Sequence, residues 1–462
     1  MLRDRYVPTN VFMYVPQLSV EMEPVLVQLD QLLEDDRLFE AVKADLSHRR
    51  PGTLKTGRNS TPVEVVLRML VVKHLYGWSY EETEQWVSDS LVLRQFCRVY
   101  FNPVPDDTVL IRWANLIQPE TLHELVAHVV RLARDLKVTR GRQLRTDGTV
   151  VETNIHYPVD STLLADGVRV LSRVVQRAQP WLGETVREVV SQVKQWAQQA
   201  RHTVKHIADA ARRRGEQAKQ ALHTHYHALV DLTAAVIAHA QRVSDALHTR
   251  SEPGAHQLMS TAQTFLPRVQ QVLDQTVRRV LEGQSVPAAD KLVSLFEPHT
   301  AIVRRGKPGK ATEFGRVIWL DEVEGGILTR YAILPGAPSD DQQLLPALDH
   351  HQRLFDQPPR LVAGDRGVHS PINETEATAR GVKFVVLPKP GAKTEDRQRH
   401  EQQRWFRYGR NWRAGIEGRI SGLKRRHRLD RCRYHGEAGM ERWVGWGVIV
   451  HDLRRIAQAW PQ

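Results

Sequence analysis

Apolar residues recur at helical spacing through much of the first 138 positions. In VEVVLRMLVVKHLYGW (63–78) the helical pattern runs up to Gly77, a residue placed to end it. Ser79 then heads SYEETEQWV, with Glu82 three residues on, which predicts a capping-box helix start. DDTVLIRWANLI, from Asp106, begins at another acidic cap. Three short helices with tight turns fit a helix-turn-helix, and they fit a small helical bundle equally well.

At Arg142 the pattern becomes strand-like: QLRTDGTVVET is rich in Thr and Val. It stops at HYPVDS, where Pro158 and Asp160 signal a helix start. From 161 to about 295 strand signals vanish. Val186, Val189, Val190, Val193 and Trp196 form one helical stripe; Leu229, Leu232, Val236 and Val243 a second; Val269, Val272, Leu273, Val277 and Val280 a third. These predict an inserted bundle of long antiparallel helices. Strands return after Thr300: FGRVIWL and ILTRYAIL flank a turn, DEVEGG, and read as a hairpin. Ser339 is placed to cap a helix, SDDQQLLPALDHHQRLF. RLVAG is the next strand, Ser370 and Pro371 open a short helix that Gly381 closes, and KFVVLP is a further strand. A basic linker leads to the helical NWRAGIEGRISGLKRRH and a last helix in EAGMERWVGWGVIVHDLRRIAQ. Without the insert, this order matches an α/β fold with a mixed five-stranded sheet of the RNase H type. The predicted divisions are an N-terminal helical domain (1–138), the first part of the sheet domain (139–160), the helical insertion (161–298) and the rest of the sheet domain (299–462).

A formal net charge of +12 adds a partner class: a polyanion, nucleic acid before anionic membrane. The two cysteines, Cys97 and Cys432, make neither a disulfide framework nor a cysteine zinc site, and suit a reducing compartment. MLRDRYVPTN lacks the apolar core of a signal peptide, and VGWGVIV is too short to span a bilayer. The expectation is a soluble cytoplasmic protein.

Candidate chemistry centres on three acids. In LVAGDRGVHS a buried strand runs straight into Asp365. Either Asp365 starts a turn, with Gly367 supplying an unusual backbone angle, or it serves chemistry at a strand's carboxyl end. Asp147 lies inside the first strand and Glu417 in the helix after the fifth. In an RNase H-type sheet the first and fourth strands are neighbours and that helix crosses them, so the three acids converge. Hard divalent cations favour carboxylate oxygens, and two such ions serve phosphoryl transfer. Arg413, Glu417 and Lys424 share one helical face; Ile416, Ile420 and Leu423 adjoin it, with Gly418 and Gly422 allowing close approach. The plain alternative for Arg413 and Glu417 is an exposed ion pair of about 0.3–0.5 kcal/mol. Other acids have structural readings: Asp160 as a helix cap, Asp340 and Asp341 in a first turn, Asp321 and Glu322 in the hairpin turn, and Glu152 on the face opposite Asp147. His223 and His227 share a helical face without a third ligand, which fits a solvated face. His369 is a further candidate for substrate contact; Arg366 either holds a phosphate or pairs with Asp365.

RTDGTVVET, FGRVIWLDEVEGGILTRYAILPGAPSDDQQLLPALD, AGDRGVHS and RAGIEGRISGLKRRH, in that order, resemble the catalytic core of DDE transposases of bacterial insertion sequences. A large group of these carries Tyr, two residues, Arg, three residues, Glu, six residues, Lys around the third acid. Arg413, Glu417 and Lys424 fill the last three places; Arg410 stands at the tyrosine place, with Tyr408 two residues before it. The segment with PDDTVLIRW is similar to the N-terminal domain of such enzymes. The resemblance implies that Asp147, Asp365 and Glu417 are catalytic and bind Mg²⁺, for which Mn²⁺ can substitute. Water then attacks a phosphodiester at the element's end, and the freed 3′-hydroxyl attacks target DNA. It also implies a homodimer or larger assembly on DNA, in the nucleoid-bearing bacterial cytoplasm. Arg413, Lys424, Arg425, Arg426 and Arg428 are expected on DNA phosphates; the alternative is a solvated basic helix end, since Lys424, Arg425 and Arg426 lie near a C-terminus, where cations are favoured. Two rival readings remain open: a transposase-derived DNA-binding regulator without catalysis, and a two-metal nuclease that cuts without joining.

Overall fold

A computed structural model describes residues 1–14, 22–50, 52–57, 59–182, 184–304, 311–336 and 338–460, with the backbone alone at 11–12, 184–191 and 194. The first helices are α1 (Pro24–Leu32), α2 (Asp36–Ser47), α3 (Val63–Tyr76), α4 (Tyr80–Asp89), α5 (Leu91–Phe96), α6 (Asp107–Ala114) and α7 (Pro119–Asp135). The predicted end signals act as read. Gly77 takes the left-handed cap of α3 at φ 69°, and Ser79 and Glu82 form both bonds of the capping box on α4. Asp106 accepts the Val109 N–H at the start of α6. α5, whose six residues are too short for a periodic signal, separates α4 from α6.

Strand β1 (Gln143–Thr153) follows. Next come α8 (Asp160–Arg177), α9 (Gln179–Leu182), α10 (Glu184–Arg212), α11 (Glu216–Leu247) and α12 (Pro253–Thr276), then β2 (Ala301–Val303), β3 (Glu313–Val323) and β4 (Ile327–Leu334). The chain ends with α13 (Leu344–Phe355), β5 (Leu361–Ala363), α14 (Pro371–Ala379), β6 (Phe384–Val386), α15 (Glu395–Gln402), α16 (Arg404–Arg426), β7 (Arg431–Cys432) and α17 (Glu437–Ala459). No described helix is long and apolar enough to cross a membrane.

Contacts gather into two compact units, 1–154 with 315–462, and 155–314. In the first, β4 pairs β3, β3 pairs β1, β1 pairs β5 and β5 pairs β6. The β4–β3 and β3–β1 pairs are antiparallel; β1–β5 and β5–β6 are parallel. β7 pairs β1 and adds a strand to the predicted five; its two residues are too short to leave a pattern in the sequence. α17 packs on α1, α3, α7 and β4, so the N-terminal helices share a core with the sheet. That core needs the almost wholly apolar face of α17, including Trp443, Trp446, Ile449 and Leu453.

The second unit is a helical bundle, with α8, α10, α11 and α12 packed on one another through short connections that make successive helices antiparallel. Val193, Trp196, Leu229, Val236, Val243, Val269, Val272 and Leu273 are buried in its core, and Leu232 and Val280 pack against it. The side chains of Val186, Val189 and Val190 lie outside the described residues. His223 and His227 are exposed, as a solvated face requires.

Several local expectations are corrected. Ser339 caps no backbone N–H; its hydroxyl bonds Asp341, and a 3-10 turn over Asp340–Gln343 precedes α13. Asp160 is the first residue of α8 rather than its cap, and its carboxylate meets Arg279 at 2.6 Å and Gln275 at 3.2 Å. The basic linker contains α15 and the opening turns of α16. Glu401 organises it through Lys393, Arg397 and the Lys389 N–H. Burial pushes the Glu401 pKa up, but these three partners hold it down at about 2.

Candidate active site

β1 and β5 run parallel, and their last pair is Arg145 with Ala363. Asp147 and Asp365 each lie two residues beyond that pair, so the strand register sets them level at the carboxyl end of β5. α16 crosses this end of the sheet, packing on β1, β5 and β6. Its buried stripe is Phe406, Gly409, Ile416 and Leu423. The close-approach glycines are Gly409 and Gly415, not Gly418 and Gly422: a Cβ at Gly409 would stand 2.5 Å from Val386 and one at Gly415 2.5 Å from Arg145. Around Gly418 and Gly422 the space is open, with nothing within 4 Å of an added Cβ.

The three acids meet at one guanidinium. Arg413 Nη2 is 2.7 Å from Asp147 Oδ2 and 3.9 Å from Asp365 Oδ2, and Nη1 is 3.2 Å from Glu417 Oε1. Arg413 and Asp147 are mostly buried, whereas the Glu417 side chain is 68% exposed. Arg413 Nε is buried and has no acceptor among the described residues. The second oxygen of each aspartate is held by backbone: Asp147 Oδ1 accepts the Gly148 N–H, and Asp365 Oδ1 accepts those of Gly367 and Val368. Asp365 therefore does start a turn. Gly367 has no positive φ; a Cβ there would come 2.9 Å from Asp340 Oδ2, so the Asp340 side chain would have to shift.

The other candidates are scattered. Lys424 Nζ donates to the Val150 carbonyl of β1 at 2.8 Å. Arg425, Arg426 and Arg428 are exposed, and Arg428 takes a left-handed φ of 55°. Tyr408 accepts a bond from Gln143 Nε2. His369 lies 3.8 Å from Glu374, and Glu152 pairs with Arg431 away from Asp147.

A buried ion network beneath the acids escapes sequence reasoning. Asp321 and Glu322 belong to β3, not to a turn; the turn is only Glu324–Gly326. Glu322, fully buried, is clamped by Arg145 at 2.6 Å and Arg419 at 3.1 Å. Arg145 also bonds the Trp412 carbonyl, fastening α16 to the sheet next to Arg413. Asp321 takes the Thr146 hydroxyl and Arg330. The available signal is the Gly325–Gly326 pair: glycines at a tight hairpin turn move the preceding acids into the strand.

Residues 17–116 match the family model described as a transposase domain (DUF772), and residues 375–457 match the one described as a transposase DDE domain. No curated protein and no solved structure matches the chain. The two matched segments support a DDE transposase of the insertion-sequence type and indicate DNA transposase function. Arg413, Glu417 and Lys424 lie inside the second match; Asp147 and Asp365 lie outside both.

Proposed function

We propose that the chain cuts DNA at its element's ends with a divalent metal, Mg²⁺ or in its place Mn²⁺, and joins the freed 3′-hydroxyl to target DNA. Asp147, Asp365 and Glu417 are the catalytic, metal-binding set in this reading. The observation that carries it is the convergence of these three carboxylates, from β1, the end of β5 and α16, on the Arg413 guanidinium. The strand order β4-β3-β1-β5-β6, with its mixed directions, supports an RNase H-like core.

The donor set suits a hard cation, since every ligand offered is a carboxylate oxygen. Among the described residues no three acidic, His or Cys side chains stand together as a metal site in this arrangement. Arg413 takes the cation's place among them. When bound, a divalent ion supplies activation of the attacking oxygen and stabilisation of the leaving one. Asp147 and Asp365 are oriented for this by their backbone bonds, which fix one oxygen and turn the other to the centre. Arg413, whose Nε lacks an acceptor among the described residues, is placed to pass from the carboxylates to a phosphate oxygen once DNA arrives. Lys424, Arg425, Arg426 and Arg428 extend this contact along the backbone, and the protein acts as a homodimer or larger assembly holding both ends. Incubating the full chain with pre-cleaved end duplexes, a target plasmid and Mg²⁺ tests the reading. Covalent end–target joints are expected; cutting of uncleaved ends with no joints would make the protein a nuclease.

A further inference from the structure

We propose that the groove between α8 and α10 of the helical unit is a second DNA-backbone site, separate from the acids. It has a volume of about 670 Å³. Arg169 and Arg173 line it from α8, and Arg201, His202 and Lys205 from α10. No acidic side chain lines it among the described residues, and Asp166, outside the lining, pairs with Arg169 at 2.8 Å. Four permanent positive charges facing one cleft repel each other, and an anion between them removes that cost.

A second observation points to a ligand. Ser172, between the two arginines in sequence, also lines the groove; the residue is 2% exposed, and its hydroxyl is buried without a hydrogen-bond partner among the described residues. A helical serine ordinarily turns its hydroxyl to the preceding carbonyls. Here it is left for an acceptor, and a phosphate oxygen is one. The cationic positions run over four residues on α8 and four on α10, about 6 Å along each axis. Duplex DNA presents one phosphate per about 3.4 Å of axis on each strand, so the groove fits two or three phosphates. All its named contacts would go to phosphates, so it serves affinity and positioning and reads no sequence.

The inference rests on the chain being a DNA transposase, and the test separates the two. Full-length protein is titrated with a labelled duplex of arbitrary sequence over a range of salt concentrations. Arg173→Gln, Arg201→Gln and Lys205→Gln together should weaken binding and make the log–log salt slope shallower by about 2–3 units. Ser172→Ala should weaken binding about tenfold or more at fixed salt, as loss of one hydrogen bond to a charged phosphate does, and leave the slope unmoved, because the hydroxyl itself carries no charge. Arg212→Gln, Arg213→Gln and Arg214→Gln together, an equal charge loss beyond the groove, should leave the slope near wild type. An unmoved slope in the groove variant, or an equal change in the control, overturns the site. Unchanged binding by Ser172→Ala removes the hydroxyl from it. A wild-type chain that binds no DNA overturns the transposase reading itself.

Discussion

Arg413 and Asp147 are 266 residues apart in the chain, yet Arg413 Nη2 bonds Asp147 Oδ2 at 2.7 Å. The same guanidinium reaches Glu417 and comes within 3.9 Å of Asp365. A cation already seated among the acids competes with any metal. Arg413→Gln should therefore bind Mn²⁺ more tightly without DNA, by about tenfold, on the scale of a charge-assisted hydrogen bond of roughly 1.5–3 kcal/mol. It should also lose DNA affinity. Titration followed by the Mn²⁺ paramagnetic signal reads the first effect; weaker metal binding would count against Arg413 as the competing cation.

Glu322 holds two arginines inside the protein. Glu322→Ala leaves Arg145 and Arg419 without their shared carboxylate, and breaking a buried pair from one side costs about 3–5 kcal/mol. Chemical denaturation should show that loss. A change below about 1 kcal/mol would mean that water reaches the network and the clamp on α16 is weak.

Two glycines of one helix should respond in opposite directions. Gly415→Ala drives a Cβ against Arg145 and should loosen α16. Gly418→Ala meets open space and should stabilise the helix by about 0.5–1 kcal/mol. Thermal unfolding of the two variants decides it, and equal shifts of the same sign would contradict the packing described here.

The same helix shows what the sequence could disclose. The end signals at Gly77, Ser79, Asp106 and Ser370 are local, and each forms the bond its residue type favours. The meeting of Asp147, Asp365 and Glu417 at one place follows from strand order, which short motifs in the right sequence imply. What stayed hidden depends on partners distant in the chain. Asp321 and Glu322 look like turn residues until Arg330 and Arg145 stand across from them. Gly418 and Gly409 look alike until one meets open space and the other Val386. Lys424 looks like a free basic residue until β1 offers the Val150 carbonyl.

Acid should weaken the fold before it reaches the carboxylates. Burial pushes His427 down to about 4 and holds His74 and His451 well below the usual imidazole value. His427 Nδ1 lies 3.0 Å from the His74 carbonyl oxygen. These groups bind protons more readily unfolded than folded. Their contribution is full above about pH 6.5 and is lost as pH falls from there towards 4, by up to about 1.4 kcal/mol per pH unit for each proton. Unfolding free energies at pH 7.5 and 5.5 should show the drop, and His427→Gln should reduce it. A flat profile over that range would contradict the assignment.

Asp147, Asp365 and Glu417, on three separate elements, are proposed to form one metal-dependent active site. Its most direct measurement is end cleavage by Asp147→Ala, Asp365→Ala and Glu417→Ala, each assayed with Mg²⁺ and with Mn²⁺ beside DNA binding by the same preparation. Each variant should bind end DNA at least as well as wild type and cut it at least about 1,000-fold more slowly, the equivalent of about 4 kcal/mol of transition-state stabilisation. Near-wild-type cleavage by any one of the three would contradict the account.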